Sequence, residues 1–222
     1  MKTKITKQFC ALLGIASLLV APSLFANISY NGTYTGTITL SGSYGDAIKA
    51  TSSGFGVFTT FCLNAGVYAN SGQTYNYVSS DNVVPVPTGD STPDPITLGT
   101  AWLYSQFSSG GLAAYGFVYG NAASANDLQA AIWYLQGNAV GVNNYFVTDA
   151  QLALNAASLG SVTNASGGAF GVFALTLTDN RGNPAQPVLG MVPEPSTVVA
   201  GVLLLLPFGV STMRILRKDK IA

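Results

Sequence analysis

The chain contains no histidine, and only 8% of its residues are charged. Without imidazole, Ser-His-Asp and Cys-His catalysis and the usual zinc ligand sets are excluded. Cysteine is almost absent too: there are two, Cys10 and Cys62. Cys10 falls in an apolar N-terminal run set apart below, so the body keeps one thiol and no internal disulfide. A single cysteine left without a disulfide partner requires an account. Glutamate occurs once, as Glu194. The acids between Asn27 and Val192 are therefore all aspartates: Asp46, Asp81, Asp90, Asp94, Asp127, Asp149 and Asp179. Against them stand only Lys49 and Arg181, two positive charges against seven negative, a net of minus five. Such a surface does not neutralise a phosphate backbone, so no nucleic-acid partner is expected. No aspartate pair stands in a glycosidase motif. Asp90 and Asp94 lack the surrounding oxygen ligands of a calcium loop. The expectation is a protein that is not an enzyme and that needs no metal or cofactor.

Both ends carry targeting patterns. Lys2, Lys4 and Lys7 precede an apolar core from Phe9 to Val20, followed by small residues through Ala26. This is the pattern of a secretory signal peptide over residues 1–26, too short for a membrane span. At the other end, Val192-Pro193-Glu194-Pro195 leads into an apolar run from Val198 to Met213. As a helix that run barely crosses a bilayer, which takes about 17–25 residues. Arg214, Arg217, Lys218 and Lys220 follow it and belong on the cytoplasmic side.

The order of Pro-Glu-Pro, apolar helix and short basic tail over residues 192–222 resembles the PEP-CTERM sorting signal of Gram-negative bacteria. The resemblance implies an exosortase-type protease as a partner and a transient membrane anchor. Once the helix is removed, the body would reach the cell surface or the extracellular, exopolysaccharide-rich matrix.

Residues 27–191 have the size and apolarity of one domain with a core. Thr33 to Leu40 alternates strictly, which predicts a strand after the Asn31-Gly32 turn. Phe55 to Leu63 and Val67 to Val78 read as further strands. Asp81 to Pro95, rich in proline and aspartate, reads as an exposed loop. Helical spacing follows, from Leu98 to about Gly110 and from Asn121 to Gly137. A third helix is predicted over Thr148 to Gly160, with Thr148 as N-cap and Gln151 completing a capping box. Phe170 to Thr178 alternates again, with Phe173, Leu175 and Leu177 inward and Ala174, Thr176 and Thr178 outward. The expected fold is α+β: antiparallel, β-sandwich-like sheets with an inserted helical region, plus an N-terminal signal helix and a C-terminal transmembrane helix.

Two short segments stand out together. Phe61-Cys62-Leu63 closes a predicted strand, and Leu128-Gln129-Ala130-Ala131-Ile132-Trp133 lies in the clearest helix. An aromatic-Cys-apolar motif followed by an apolar-Gln-x-Ala-apolar-Trp motif resembles the thioester domains of bacterial surface adhesins. The resemblance implies that the Cys62 thiol attacks the Gln129 carboxamide, expels ammonia and leaves an internal thioester. An amine on a surface or matrix target then takes over the Gln129 acyl group, once and irreversibly. Phe61, Ala125, Ile132 and Trp133 are the implied shielding residues, since Ala125, Ile132 and Trp133 sit one turn from Gln129 on its helix. Two departures stand beside the match: Leu128 occupies a position where threonine is common, and no stalk modules are present. The alternative from the residues alone is a non-covalent structural or glycan-binding matrix component, with Cys62 an inert buried thiol.

Overall fold

The computed structural model describes residues 32–42, 47–83 and 94–192. The signal segment and the tail beyond Val192 lie outside them. So do Asn31 of the early turn, Asp46, Asp90, and Pro193, Glu194 and Pro195 of the sorting motif. Among the described residues, no helix is long and apolar enough to cross a membrane.

The fold is mixed, an antiparallel sheet with three helices. Strands β1 (Thr35–Ser41), β2 (Ile48–Ser52), β3 (Gly56–Thr60), β4 (Thr74–Ser80), β7 (Val172–Thr178) and β8 (Pro184–Met191) form one six-stranded sheet in the order β3-β2-β1-β4-β7-β8. Every pairing is antiparallel. A second ladder is minimal: β5 (Asn82–Val83) against β6 (Asp94–Pro95). The expected open loop at 81–95 therefore begins and ends in a short paired stem. The expected strand at Val67–Val78 is half turn, and regular structure starts only at Thr74.

The large sheet curls until its ends meet. Beyond β3 the chain runs on through Phe61, Cys62 and Leu63 beside the free edge of β8. Leu189 donates its N–H to Phe61 O, and Leu63 donates to Pro187 O. Cys62 bridges Val188, and the Thr60 hydroxyl donates to Leu189 O at 2.6 Å. This is one sheet rolled toward closure, not two sheets stacked as a sandwich. Closure pairs part of the β8 edge that an open sheet would expose.

Strand β8 escaped the sequence reading, and its prolines are the reason. Proline argues against an interior strand because it cannot donate to a ladder. Here Pro187 contributes only its carbonyl, which is all that Leu63 N–H requires.

Helices α1 (Leu98–Ser108), α2 (Ala122–Leu135) and α3 (Tyr145–Ala156) pack together against one outer face of the rolled sheet. The roll thus has two cores. Inside it lie Ile38, Leu40, Ala50, Tyr75, Tyr77, Leu175, Leu177 and Val188. Between sheet and helices lie Phe61, Leu63, Val172, Ala174 and Leu189 with Leu103, Leu128, Ile132 and Phe146. Strand β7 is consequently buried on both faces, and Ala174, expected outward, faces the helices.

Helix α2 starts where its N-cap chemistry dictates, with Asn121 Oδ1 accepting from Ser124 N–H. It stops before Gly137, whose φ of 72° suits a left-handed C-terminal residue. Helix α3 begins earlier than expected. Asn144 is its cap, accepting from Phe146 N–H, and Thr148 lies inside the helix. Gln151 forms no capping box. It bonds Asn155, Gly160 O and Val162 N–H instead, tying the helix to the loop after it.

Candidate functional site

The segment Cys62-Leu63-Asn64-Ala65 leaves regular pairing at the point where the sheet meets the helices. Buried backbone groups need partners there. Three carboxamide side chains from distant parts of the chain supply them. Cys62 N–H donates to Gln129 Oε1 at 2.8 Å, and Gln129 Nε2 donates to Cys62 O at 2.8 Å. Asn138 Oδ1 accepts from Ala65 N–H, while its Nδ2 donates to Leu63 O. Gln186 Nε2 donates to Asn64 O at 2.7 Å.

Gln129 thus sits face to face with Cys62, held at both ends of its amide. The pairing fixes the amide's orientation, because a backbone N–H demands the oxygen and a carbonyl demands the nitrogen. Both residues are sealed, Gln129 at 0% exposure and Cys62 at 1%. Burial pushes the Cys62 thiol up to about 12, far from the thiolate range of reactive cysteines. It is a free thiol with no second cysteine among the described residues.

The residues expected to shield the pair divide between the two cores. Phe61, Ala125 and Ile132 join the helix-side core. Phe61 meets Phe107 edge to face at 5.0 Å. Trp133 packs into the interior of the roll, in the same cluster as Cys62. Ala125 borders a groove of about 530 Å³ lined also by Lys49, Phe58, Phe117, Tyr119 and Asn121. The groove therefore approaches Gln129 to within one helical turn. Val192, the first residue of the expected sorting motif, is half-buried and donates its N–H to Gly171 O at 2.9 Å.

Sequence reasoning missed Asn138 and Gln186. Asn138 had a readable signal, since it follows the Gly137 stop of α2 and is placed to bond outward from a helix end. Gln186 had none, because β8 itself went unrecognised. No group of three or more His, Cys, Asp or Glu side chains among the described residues forms a metal-binding cluster. Compared with family models, with curated proteins and with solved structures, the chain finds no match.

Proposed function

We propose that this is an exported surface or matrix protein that forms an internal thioester between Cys62 and Gln129. It would use that bond for a single covalent attachment to an amine-bearing target. The observation that carries this reading is the paired hydrogen bonding between the Gln129 carboxamide and the Cys62 backbone. A carboxamide held against the residue that bears the thiol has lost most of the entropy of encounter. The Cys62 N–H already binds Oε1, where negative charge collects as sulfur adds to the carbonyl carbon. The product would be sheltered from hydrolysis by the burial both residues share. Export and surface placement rest on the signal pattern at residues 1–26 and the sorting-type tail at 192–222, read by an exosortase-type protease at the membrane.

A second reading is favoured by two features. The same hydrogen bonds serve as a structural bracket, and the thiol is neutral and buried. In that reading the protein is a non-covalent matrix component. The aromatic-lined groove, with Asn121 and Lys49 at its wall, then offers stacking faces and polar contacts to a sugar.

Intact mass of the exported protein separates the two. The expected result is a chain lighter by one ammonia, shifted by methylamine adduction, with neither change in Cys62→Ala or Gln129→Leu. A wild-type chain at its full mass, with a thiol that titrates on unfolding, sinks the thioester.

A further inference from the structure

Cys62 and Gln186 line one small cavity of about 20 Å³, walled also by Leu40, Ile48, Ala69 and Ser71. Gln186 is 1% exposed. Its Nε2 is committed to Asn64 O and Pro187 O, whereas its Oε1 meets no hydrogen-bond partner among the described residues. A buried carbonyl oxygen without a partner is rare enough to require a reason. A space of this size seats one water-sized molecule, which needs two to four polar contacts. Three are at hand: Gln186 Oε1, the Cys62 thiol and the Ser71 hydroxyl. Ser71 Oγ accepts from Gly42 N–H, so its own proton is free to be donated.

We propose that the cavity is a binding site for one water molecule, oriented by Gln186 Oε1, that takes up the Cys62 thiol proton as the thioester forms. The inference rests on the Cys62–Gln129 reading and adds the step that reading lacks. The water donates one O–H to Gln186 Oε1, which turns a lone pair toward the thiol. The Sγ–H proton passes to that water while the sulfur electron pair bonds to Gln129 Cδ. The Cδ–Nε2 bond breaks, and the departing NH2 group takes the proton that the water carries. The thiol proton leaves on the ammonia, and the water is regenerated.

The surroundings make such a carrier necessary. The core around Cys62 receives side chains from β1, β2, β4, β7, β8 and α2, and its other titratable members are Tyr75 and Tyr77. Their hydroxyls are engaged with Asn70 N–H and the Ser52 hydroxyl. Lys49, on β2, is exposed. Among the described residues no side-chain base faces the sulfur, and burial opposes its direct ionisation. Gln186 is a positioning residue here, because it acts through the water.

The test follows ammonia loss by intact mass during cell-free synthesis of the full-length chain, from neutral to alkaline pH. In Gln186→Met, the rate at neutral pH is expected to fall roughly 100-fold, the scale of a lost proton-transfer catalyst. It should then climb steeply with hydroxide toward the wild-type rate. Gln186→Glu keeps an acceptor at the same place, so its profile should gain an acid limb as the carboxyl protonates. An unchanged rate and pH profile in Gln186→Met, beside a wild type that does lose ammonia, overturns this inference alone. Should Gln186→Met fail to fold, a Gln186→Glu profile without the acid limb overturns it equally. A wild type that never loses ammonia overturns the parent reading, and this one with it.

Discussion

At the scale of single residues, Cys62 poses a conflict that burial resolves in one direction and the proposed acylation in the other. Burial keeps the thiol protonated, yet sulfur must give up its proton to acylate. The sign of the linkage makes this measurable. A thiol of ordinary pKa 9.0 when unfolded and about 12 when folded adds no pH dependence below 9. Above that, the unfolded chain releases its proton first, and stability falls as pH climbs toward 12. Tyr104 is also raised by burial and acts in the same direction. An acylated sulfur does not titrate. The expected outcome is that wild type and Cys62→Ala lose melting temperature along parallel alkaline limbs, both set by Tyr104 and other groups. A steeper wild-type limb in thermal scans would reveal a free thiol. That Cys62 and Gln129 meet was legible in the sequence because each sits in a short motif that the thioester-domain resemblance links. Gln186 was not, because a glutamine's importance depends on which of its atoms lacks a partner, and only packing decides that.

At the scale of elements, the site depends on how α2 ends. Asn138 reaches Leu63 and Ala65 only because the chain turns sharply after Gly137. The turn then folds back until Val142 N–H donates to Ala130 O. Gly141 makes that return possible: a Cβ there would overlap the backbone of Trp133 and Tyr134. Gly141→Ala is therefore expected to destabilise the domain by about 1–3 kcal/mol, as overpacked sites do. It should also raise amide exchange at Ala65, whose N–H Asn138 Oδ1 accepts, read by hydrogen-exchange mass spectrometry. Gly137→Ala offers a comparison, since nothing lies within 4 Å of its missing Cβ. Its cost comes from φ alone and should leave exchange at Ala65 less affected. Helices α1 and α2 were legible from periodicity and their stops. The start of α3 was not, since Thr148-Asp149-Ala150-Gln151 and Asn144-Tyr145-Phe146 are competing caps and tertiary contacts chose the second. Strand β1 was legible because one face is wet; β2, which alternates in the same way, went unread, and β4 starts later than its expected strand. Alternation misled at β7, which has a core on either side.

At the scale of the whole molecule, the rolled sheet joins an early segment of the described chain to its last strand. Strand β3 and its extension come early in the sequence, and β8 is the last element before the tail. A chain ending at residue 183, made without residues 1–26, loses the carbonyls of Pro187 and Leu189 and the Gln186 carboxamide. It should lack a cooperative melting transition. A chromogenic disulfide should modify its Cys62 without denaturant, whereas the chain running through Val192 should resist. Equal resistance in both would show that the helices alone cover the sulfur.

The closing strand has a temporal meaning as well. A chain threaded through a translocon from its N terminus has delivered Cys62 and Gln129 long before Gln186 emerges. Under the export reading, the acyl bond cannot be enclosed while synthesis is in progress. In that reading the last strand sets the clock, and with Val192 pinned to Gly171, a sorting protease would meet its proposed recognition sequence one residue beyond a finished seam. Maturation of the reactive centre and release from the membrane would then be governed by the same few residues.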